Sequence, residues 1–331
     1  MNNDRPDLSI ILKYHFGMPR VMTWSFPVMV LSIMTLLCFL MRCIMPTEDA
    51  AIPPTSLIGY SVLVPAMALI CLVIPALLLS RGQTDLLMGR YSGVGIMLVS
   101  FMSGVPLNLV SVSVYNLFCW IWLRLTQRIV FPAFFYYAGT DSIEGRILSL
   151  LSDTAIPGFA CSLFFFGLLW SRFRSKERFV GYIIISLTFA LYGLDFINFP
   201  SLFIIGMWCC FLRTNSMNIF GPFFCLLGIK LTSFLLEGTL DKVDLLSIRS
   251  YSDIDSTFLY SSLPSLFIGM ILLSFFIKIL TDFKYSYLNK EEDAESDPDI
   301  PSFDRSINLS LILSAILFIV SWVMLFKGVH L

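Results

Sequence analysis

Long apolar runs separated by short polar turns organise this chain, and each run is matched to the thickness of a bilayer. A membrane-crossing helix takes about 20 mostly apolar residues, within a range of about 17–25. Trp24–Met45 and Ser56–Leu79 meet that length, with the acidic, proline-broken turn "PTEDAAIPP" between them. Ser92–Leu123 reads as one tilted helix kinked at the proline of "SGVPLN", since two arms of about fifteen residues would each fall short of crossing. Thr154–Trp170, Phe179–Asn198, Ser201–Leu212, Asn218–Leu236, Phe258–Leu280 and Asn308–Phe326 follow, with Ser201–Leu212 short enough to need shielding by protein. Phe131–Tyr137 is too short to span and suits an interfacial position, where tyrosines gather. The pattern predicts an all-α, polytopic transmembrane helix bundle of about nine spans (8–10).

Composition agrees. Of 331 residues, 57% are hydrophobic and 14% charged, against about 45–50% and about 25% in soluble domains. The net charge of −1 suits neither nucleic acid nor an acidic substrate. Placement of charge says more than its sum. "SRFRSKER" (Ser171–Arg178) holds four basic side chains between two spans, and Arg81, Arg90 and the basic N-terminal stretch fall on the same side when nine crossings are counted. The positive-inside rule then predicts a cytoplasmic N-terminus and an external C-terminus. "NKEEDAESDPDIPSFDR" (Asn289–Arg305) lacks an apolar face and reads as a solvated acidic loop. The chain therefore divides into a cytoplasmic segment 1–23, N-terminal transmembrane helices 24–153, core helices 154–236 and C-terminal helices 237–331 with the acidic loop 289–305.

Chemistry-bearing residues are few. The eight cysteines, Cys38, Cys43, Cys71, Cys119, Cys161, Cys209, Cys210 and Cys225, sit in or beside apolar runs, where thiols act as small hydrophobes. No C-x-x-C pair occurs, so neither structural disulfides nor a metal site is expected. The two histidines, His15 and His330, are both near the termini. No G-x-x-x-x-G-K-[ST] loop and no internal repeat is present, which leaves a primary or secondary transporter without its usual signature. No cofactor motif occurs.

Two segments carry a resemblance: "AIPGFACSLFFFGLLWSRFRSKERFVGYIIISLTFALYG" and "FIIGMWCCFLRTNSMNIFGPFFCLLGIKL", preceded by "SGVPLNLV". Their order and spacing, over roughly a quarter of the chain, resemble the core of the CPBP family of CAAX proteases and bacteriocin-processing enzymes. That family carries E-E-x-x-x-R-G on one helix, F-x-x-x-H on the next, a Gly-containing helix ending in an "LRTGS"-like turn, and "aPilaHxxxN" on the last. The scaffold letters Gly167, Phe189, Gly206, Arg213, Ser216 and Pro222 match. The catalytic letters do not. The two glutamates fall on Cys161 and Ser162, the arginine on Phe166, the histidines on Gly193 and Leu226, and the asparagine on Lys230.

In the mechanism this resemblance implies, a glutamate activates water and histidines stabilise the oxyanion. Water activation needs a base in reach, and the oxyanion needs placed donors. A nucleophilic Cys161 would need a thiolate beside a base or cation, and no histidine occurs in the spans. The resemblance thus implies a catalytically silent relative that binds something or serves as a subunit of a membrane assembly. An active peptidase with a divergent motif, or a transporter or permease subunit, are the alternatives. Expected partners are the lipid bilayer and another membrane protein or a hydrophobic peptide, with no nucleic acid; the expected location is the plasma (inner) membrane of a prokaryote.

Asp195 and Lys230 are the charges nearest membrane depth and line a retained cavity on the functional reading. On the plain reading Asp195 is interfacial and Lys230 snorkels. Arg213 and Glu237 read as ordinary helix-end charges.

Overall fold

A computed structural model describes residues 24–44, 64–80, 87–89, 93–130, 132, 147, 150–173, 178–243, 245, 256–288 and 309–327. Among them are nine helical elements: α1 (Ser25–Ile44), α2 (Val64–Ser80), α3 (Val94–Thr126), α4 (Leu150–Arg172), α5 (Arg178–Tyr192), α6 (Phe199–Ser216), α7 (Phe220–Leu235), α8 (Ser256–Leu288) and α9 (Leu309–Lys327). No named strand occurs among the described residues, where Gly89 and Asn218 form one isolated antiparallel bridge. Four helices, α3, α4, α8 and α9, contain segments long and apolar enough to cross a membrane; α1, α2, α5 and α7 contain shorter apolar segments. The acidic stretch 289–305, the N-terminal segment 1–23 and, apart from Pro132, Phe131–Tyr137 lie outside the described residues.

Several boundaries shift for identifiable reasons. Ser92–Leu123 is indeed one helix, α3, interrupted only at Ser103. Pro106 has no N–H to give the Met102 carbonyl four residues back, so the ladder breaks there. Phe179–Asn198 ends early, at Tyr192, because Leu194 takes a left-handed φ of 45°. The short Ser201–Leu212 is corrected to eighteen residues, Phe199–Ser216. Its extra turn satisfies itself: Thr214 Oγ1 donates to Cys210 O at 2.9 Å and Asn215 Nδ2 to Phe211 O at 2.8 Å. In α4 and α2 the apolar helix widens into π turns at Leu150–Ala155, Ser162–Leu169 and Leu69–Val73.

Successive helices run in alternating directions. At one end, Trp24 meets Phe173, Ser310 Oγ bonds Ser25 Oγ at 2.7 Å, Arg172 donates to Leu79 O, and Phe283 lies over Gly95. At the other, Phe196 stacks edge-on against Trp122 and Phe326, and Leu194 packs with Phe39. The first end holds Arg172, Arg178 and Arg213, and the second holds Asp195, Glu237 and Asp241 together with Arg124, Arg128 and Lys242; for brevity they are called the arginine end and the aspartate end below.

Burial separates inner helices from outer ones. The apolar window of α4 is 61% buried, whereas that of α8 is 11% buried. α8 exposes Phe267, Ile268, Met270, Ile271 and Phe275, and α9 exposes Ile312, Ile316, Ile319 and Val323. An exposed apolar surface of that extent suits hydrocarbon, not water. The interior holds Phe164, Phe165, Phe166, Leu168 and Leu169 of α4 with Leu31, Leu72, Leu107, Ile185, Cys209 and Cys225. The thiols of Cys119, Cys161, Cys209, Cys210 and Cys225 form no disulfide among the described residues.

Small residues set the crossings. A Cβ on Gly104 would stand 2.6 Å from the Gly228 carbonyl carbon, and one on Gly228 would strike Phe101 O. α3 and α7 therefore touch backbone to backbone, the close packing that apolar helices use where hydrophobicity offers no drive between them. Gly269 of α8 and Gly206 of α6 make similar approaches, to Pro106 O at 2.9 Å and Ser186 Cα at 2.9 Å. Gly228→Leu is expected to cost at least about 1–3 kcal/mol by overpacking, read as a lower melting temperature in mild detergent; an unchanged melt would show that α3 and α7 do not meet there. By contrast Met217 holds a left-handed φ of 54° with an exposed side chain. Met217→Gly is expected to raise that melting temperature, since left-handed backbone costs other residues about 1–2 kcal/mol.

Candidate functional site

Of the residues singled out by the resemblance, Ser162 and Phe166 are buried, and Cys161, Gly193, Leu226 and Lys230 are half-buried. Phe166, at the arginine position, is wholly buried, with its ring 6.0 Å from that of Phe189. Phe165 meets Phe189 edge-on at 5.3 Å, and Phe159 meets Phe223 at 5.8 Å. Cys161 is half-buried against the same core; Ser162 is wholly buried, and its hydroxyl has no hydrogen-bond partner among the described residues. A Cβ on Gly158, one turn before Ser162, would touch Leu226 at 3.8 Å, so α4 and α7 pack directly together. Gly193 lies past the end of α5, against Leu202. The structure thus joins α4 to α5 through Phe165 and Phe166, and α4 to α7 through Gly158 and Leu226.

Arg213 corrects its reading as an ordinary helix-end charge. It is buried, and its Nε donates to Phe166 O at 2.8 Å, tying α6 to the π segment of α4. The wide turn matters: α4 leaves a carbonyl that a guanidinium from outside the helix can take.

Chemically, these positions offer thiol, hydroxyl, phenyl and alkyl groups and, at Lys230, an amine, and Cys161 has no imidazole at the aligned positions to activate it. Deeper in the interior, Trp208 Nε1 donates to Ser103 Oγ at 3.1 Å, and Ser103 Oγ donates to Ser100 O at 2.7 Å, with Cys225 Sγ at 3.6 Å. Among the described residues no three His, Cys, Asp or Glu side chains are grouped to hold a metal.

Asp195 belongs instead to a polar knot at the aspartate end. Its Oδ1 accepts the Asn198 N–H at 3.1 Å, fixing the turn that launches α6. Asn198 Oδ1 in turn accepts Lys242 Nζ at 3.2 Å, and that ammonium lies 4.9 Å from the Tyr115 ring centre. Lys242 leaves its stem at the surface and turns its charge inward. Asn116 of α3 closes the knot: Nδ2 donates to Asp241 O at 2.9 Å and Ser262 Oγ at 3.2 Å, and Oδ1 accepts Val243 N–H at 3.0 Å. Lys230 places its ammonium 5.1 Å from the Phe234 ring centre, one turn further along α7.

Burial pushes the Asp195 carboxyl above the ordinary aspartate range, while the Lys242 charge and the Asn198 and Ile197 N–H groups oppose it. Burial likewise lowers Lys242, which Asp195 opposes and Lys230 reinforces.

Sequence reading singled out Asp195 and Lys230 but missed Asn116, Asn198 and Lys242. Asn108, Ser111, Tyr115, Asn116 and Cys119 recur at helical spacing on α3, a signal within the apolar run itself. Lys242 left no such trace, because a lysine after a helix end is commonplace until a tertiary fold covers it. Family models, curated proteins and solved structures were compared with the chain, and none matches.

A raised native carboxyl pKa contributes stability below the ordinary aspartate range that is lost as pH rises through the native value. Asp195→Asn keeps an oxygen for the Asn198 N–H but removes the titration. The melting temperature of the unaltered protein is therefore expected to fall relative to Asp195→Asn as pH rises through that interval. A constant difference across the series would remove Asp195 as the titrating group.

Proposed function

We propose that this chain is an integral membrane protein built on a CPBP-like core that has given up catalysis, and that it acts by binding or as a subunit of a larger membrane assembly. The observation that carries the reading is Phe166. At the position where the resemblance requires an arginine, the chain puts a buried ring packed on Phe189 and lets Arg213 hold its carbonyl. A water-activating site needs a polar, water-accessible space beside its base, and Phe164, Phe165 and Phe166 are fully buried here. Loss of both carboxylates, both imidazoles and the arginine leaves no group to begin hydrolysis.

The same proposal has the chain crossing the bilayer nine times with its N-terminus in the cytoplasm of a prokaryote. Alternating helix directions support the crossings, and the four basic side chains of the short stretch Ser171–Arg178 favour that side as the cytoplasmic one, against Arg124, Arg128 and Lys242 at the other end. In this orientation the Asp195–Lys242 knot faces outward.

A permease subunit is the second reading, and α3 is what favours it. Asn108, Ser111, Ser113 and Asn116 are buried along this membrane-length helix, and the Asn108 Nδ2 has no partner among the described residues. Buried polar groups in a membrane helix mark pathways as well as packing.

In cells complemented for a deletion, the Cys161→Ala, Ser162→Ala double variant is expected to retain full function at normal expression. Loss of function at normal expression would restore the peptidase reading. Orientation is checked separately on a cysteine-free background with an impermeant thiol reagent. A cysteine at Glu237 is expected to label from outside intact cells and one at Ser175 only after lysis; the reverse pattern would invert the topology.

A further inference from the structure

Away from the motif positions, α1, α5 and α9 enclose a groove of about 350 Å³. Its walls are Ile184, Leu187, Thr188 and Leu191 of α5, and Leu311, Ser314, Ala315, Phe318, Ile319 and Trp322 of α9; Trp24 and Val28 form its floor. The groove exists because α9 packs along α1 and stays clear of most of α5. Ser310 Oγ bonds Ser25 Oγ at 2.7 Å near the arginine end, and Trp322 Nε1 donates to Leu191 O at 3.3 Å near the aspartate end. Between those bonds Ser314, Ala315 and Thr188 are too small to fill the space that this packing leaves between α9 and α5.

The dimensions select the occupant. From Leu311 to Trp322 the helix rises about 16 Å at about 1.5 Å per residue. A second helix, about 10–12 Å across with its side chains, would need more than about 1,000 Å³ over that length, well beyond the groove's 350 Å³. A slender hydrocarbon chain is the occupant that suits so narrow an apolar space. The lining is apolar, and the exposed flanks of α9 already face hydrocarbon, so the chain can enter sideways from the bilayer.

Charge selects the head group. The three helices that line the groove run parallel, and all begin at its Trp24 end: α1 at Ser25, α5 at Arg178 and α9 at Leu309. Their N-termini carry partial positive charge, and Arg172 and Arg178 stand at this same end. Trp24 precedes the first residue of α1, and indoles favour the boundary between hydrocarbon and head groups. We propose that the groove is a binding site for an anionic phospholipid, one acyl chain lying between α5 and α9 and the phosphate at the Trp24 end.

The test uses the purified full chain, delipidated in detergent and titrated with phosphatidylglycerol or phosphatidylcholine of identical acyl chains, with bound lipid counted by native mass spectrometry. Phosphatidylglycerol is expected to bind at least about tenfold more tightly, and the preference to shrink with added salt as surface charge is screened. Ala315→Phe, which fills the groove, is expected to abolish the high-affinity lipid, whereas Ile271→Phe on the open face of α8 leaves it. Arg178→Gln is expected to reduce the phosphatidylglycerol preference while phosphatidylcholine binding stays. A melting curve for each variant separates lost binding from lost fold; should Ala315→Phe not fold, Ser314→Leu takes its place. Equal binding of the two lipids, or high-affinity binding that survives a folded groove-filling variant, overturns the proposal.

Discussion

Gly104 and Gly228 bring α3 and α7 into backbone contact, and the neighbouring helices take their places from that crossing. Lipid gives apolar helices no reason to leave it for one another, so association relies on close contact and on hydrogen bonds between helices. Two glycines facing each other supply the closeness. Once α3 is held there, its buried face meets α6, α7 and α8 in turn, through Ser103 with Trp208, Asn108 with Ser233, Ser111 with Ser201, and Asn116 with Ser262. Each bond gathers two polar groups that hydrocarbon would penalise singly.

α4 solves a different problem. It is the most buried of the membrane-length helices and carries three consecutive phenylalanines, Phe164, Phe165 and Phe166, all of which must face protein. A regular helix turns about 100° per residue and spreads three successive side chains over most of its circumference. The π turn at Ser162–Leu169 widens the ladder, and Arg213 reaches the Phe166 carbonyl from α6. Arg213 and Phe166 thus meet in one contact that joins α6 to α4 within the packed core.

Much of this architecture is legible in the residues alone. Helical periodicity and run length place α3, α7 and α9 within a few residues, because burying backbone in lipid leaves helices as the simplest solution for such sequences. The proline in "SGVPLN" announces a break in α3, and a missing N–H produces that break whatever surrounds it. Asp195 stands out by its isolation in an apolar stretch, and the absence of interior histidine can be read directly.

Partnership was not legible, since it depends on which helices become neighbours. Lys242 became part of the Asp195 knot only when the connection after α7 folded back over Tyr115 and Asn116, more than a hundred residues earlier in the chain. Arg213 looked like an ordinary helix-end charge until α6 settled against α4 and offered it a carbonyl instead of water. The crease between α5 and α9 is written in neither helix: it follows from α9 packing along α1, with only Trp322 reaching the Leu191 carbonyl of α5. Helices, their lengths and their solvent are properties of the linear chain, because they follow from local periodicity and from the cost of bare backbone in hydrocarbon. Which charges were buried, which carbonyls were shared and where a groove was left had to wait for the helices to pack, because those outcomes are set by distances between segments far apart in the chain.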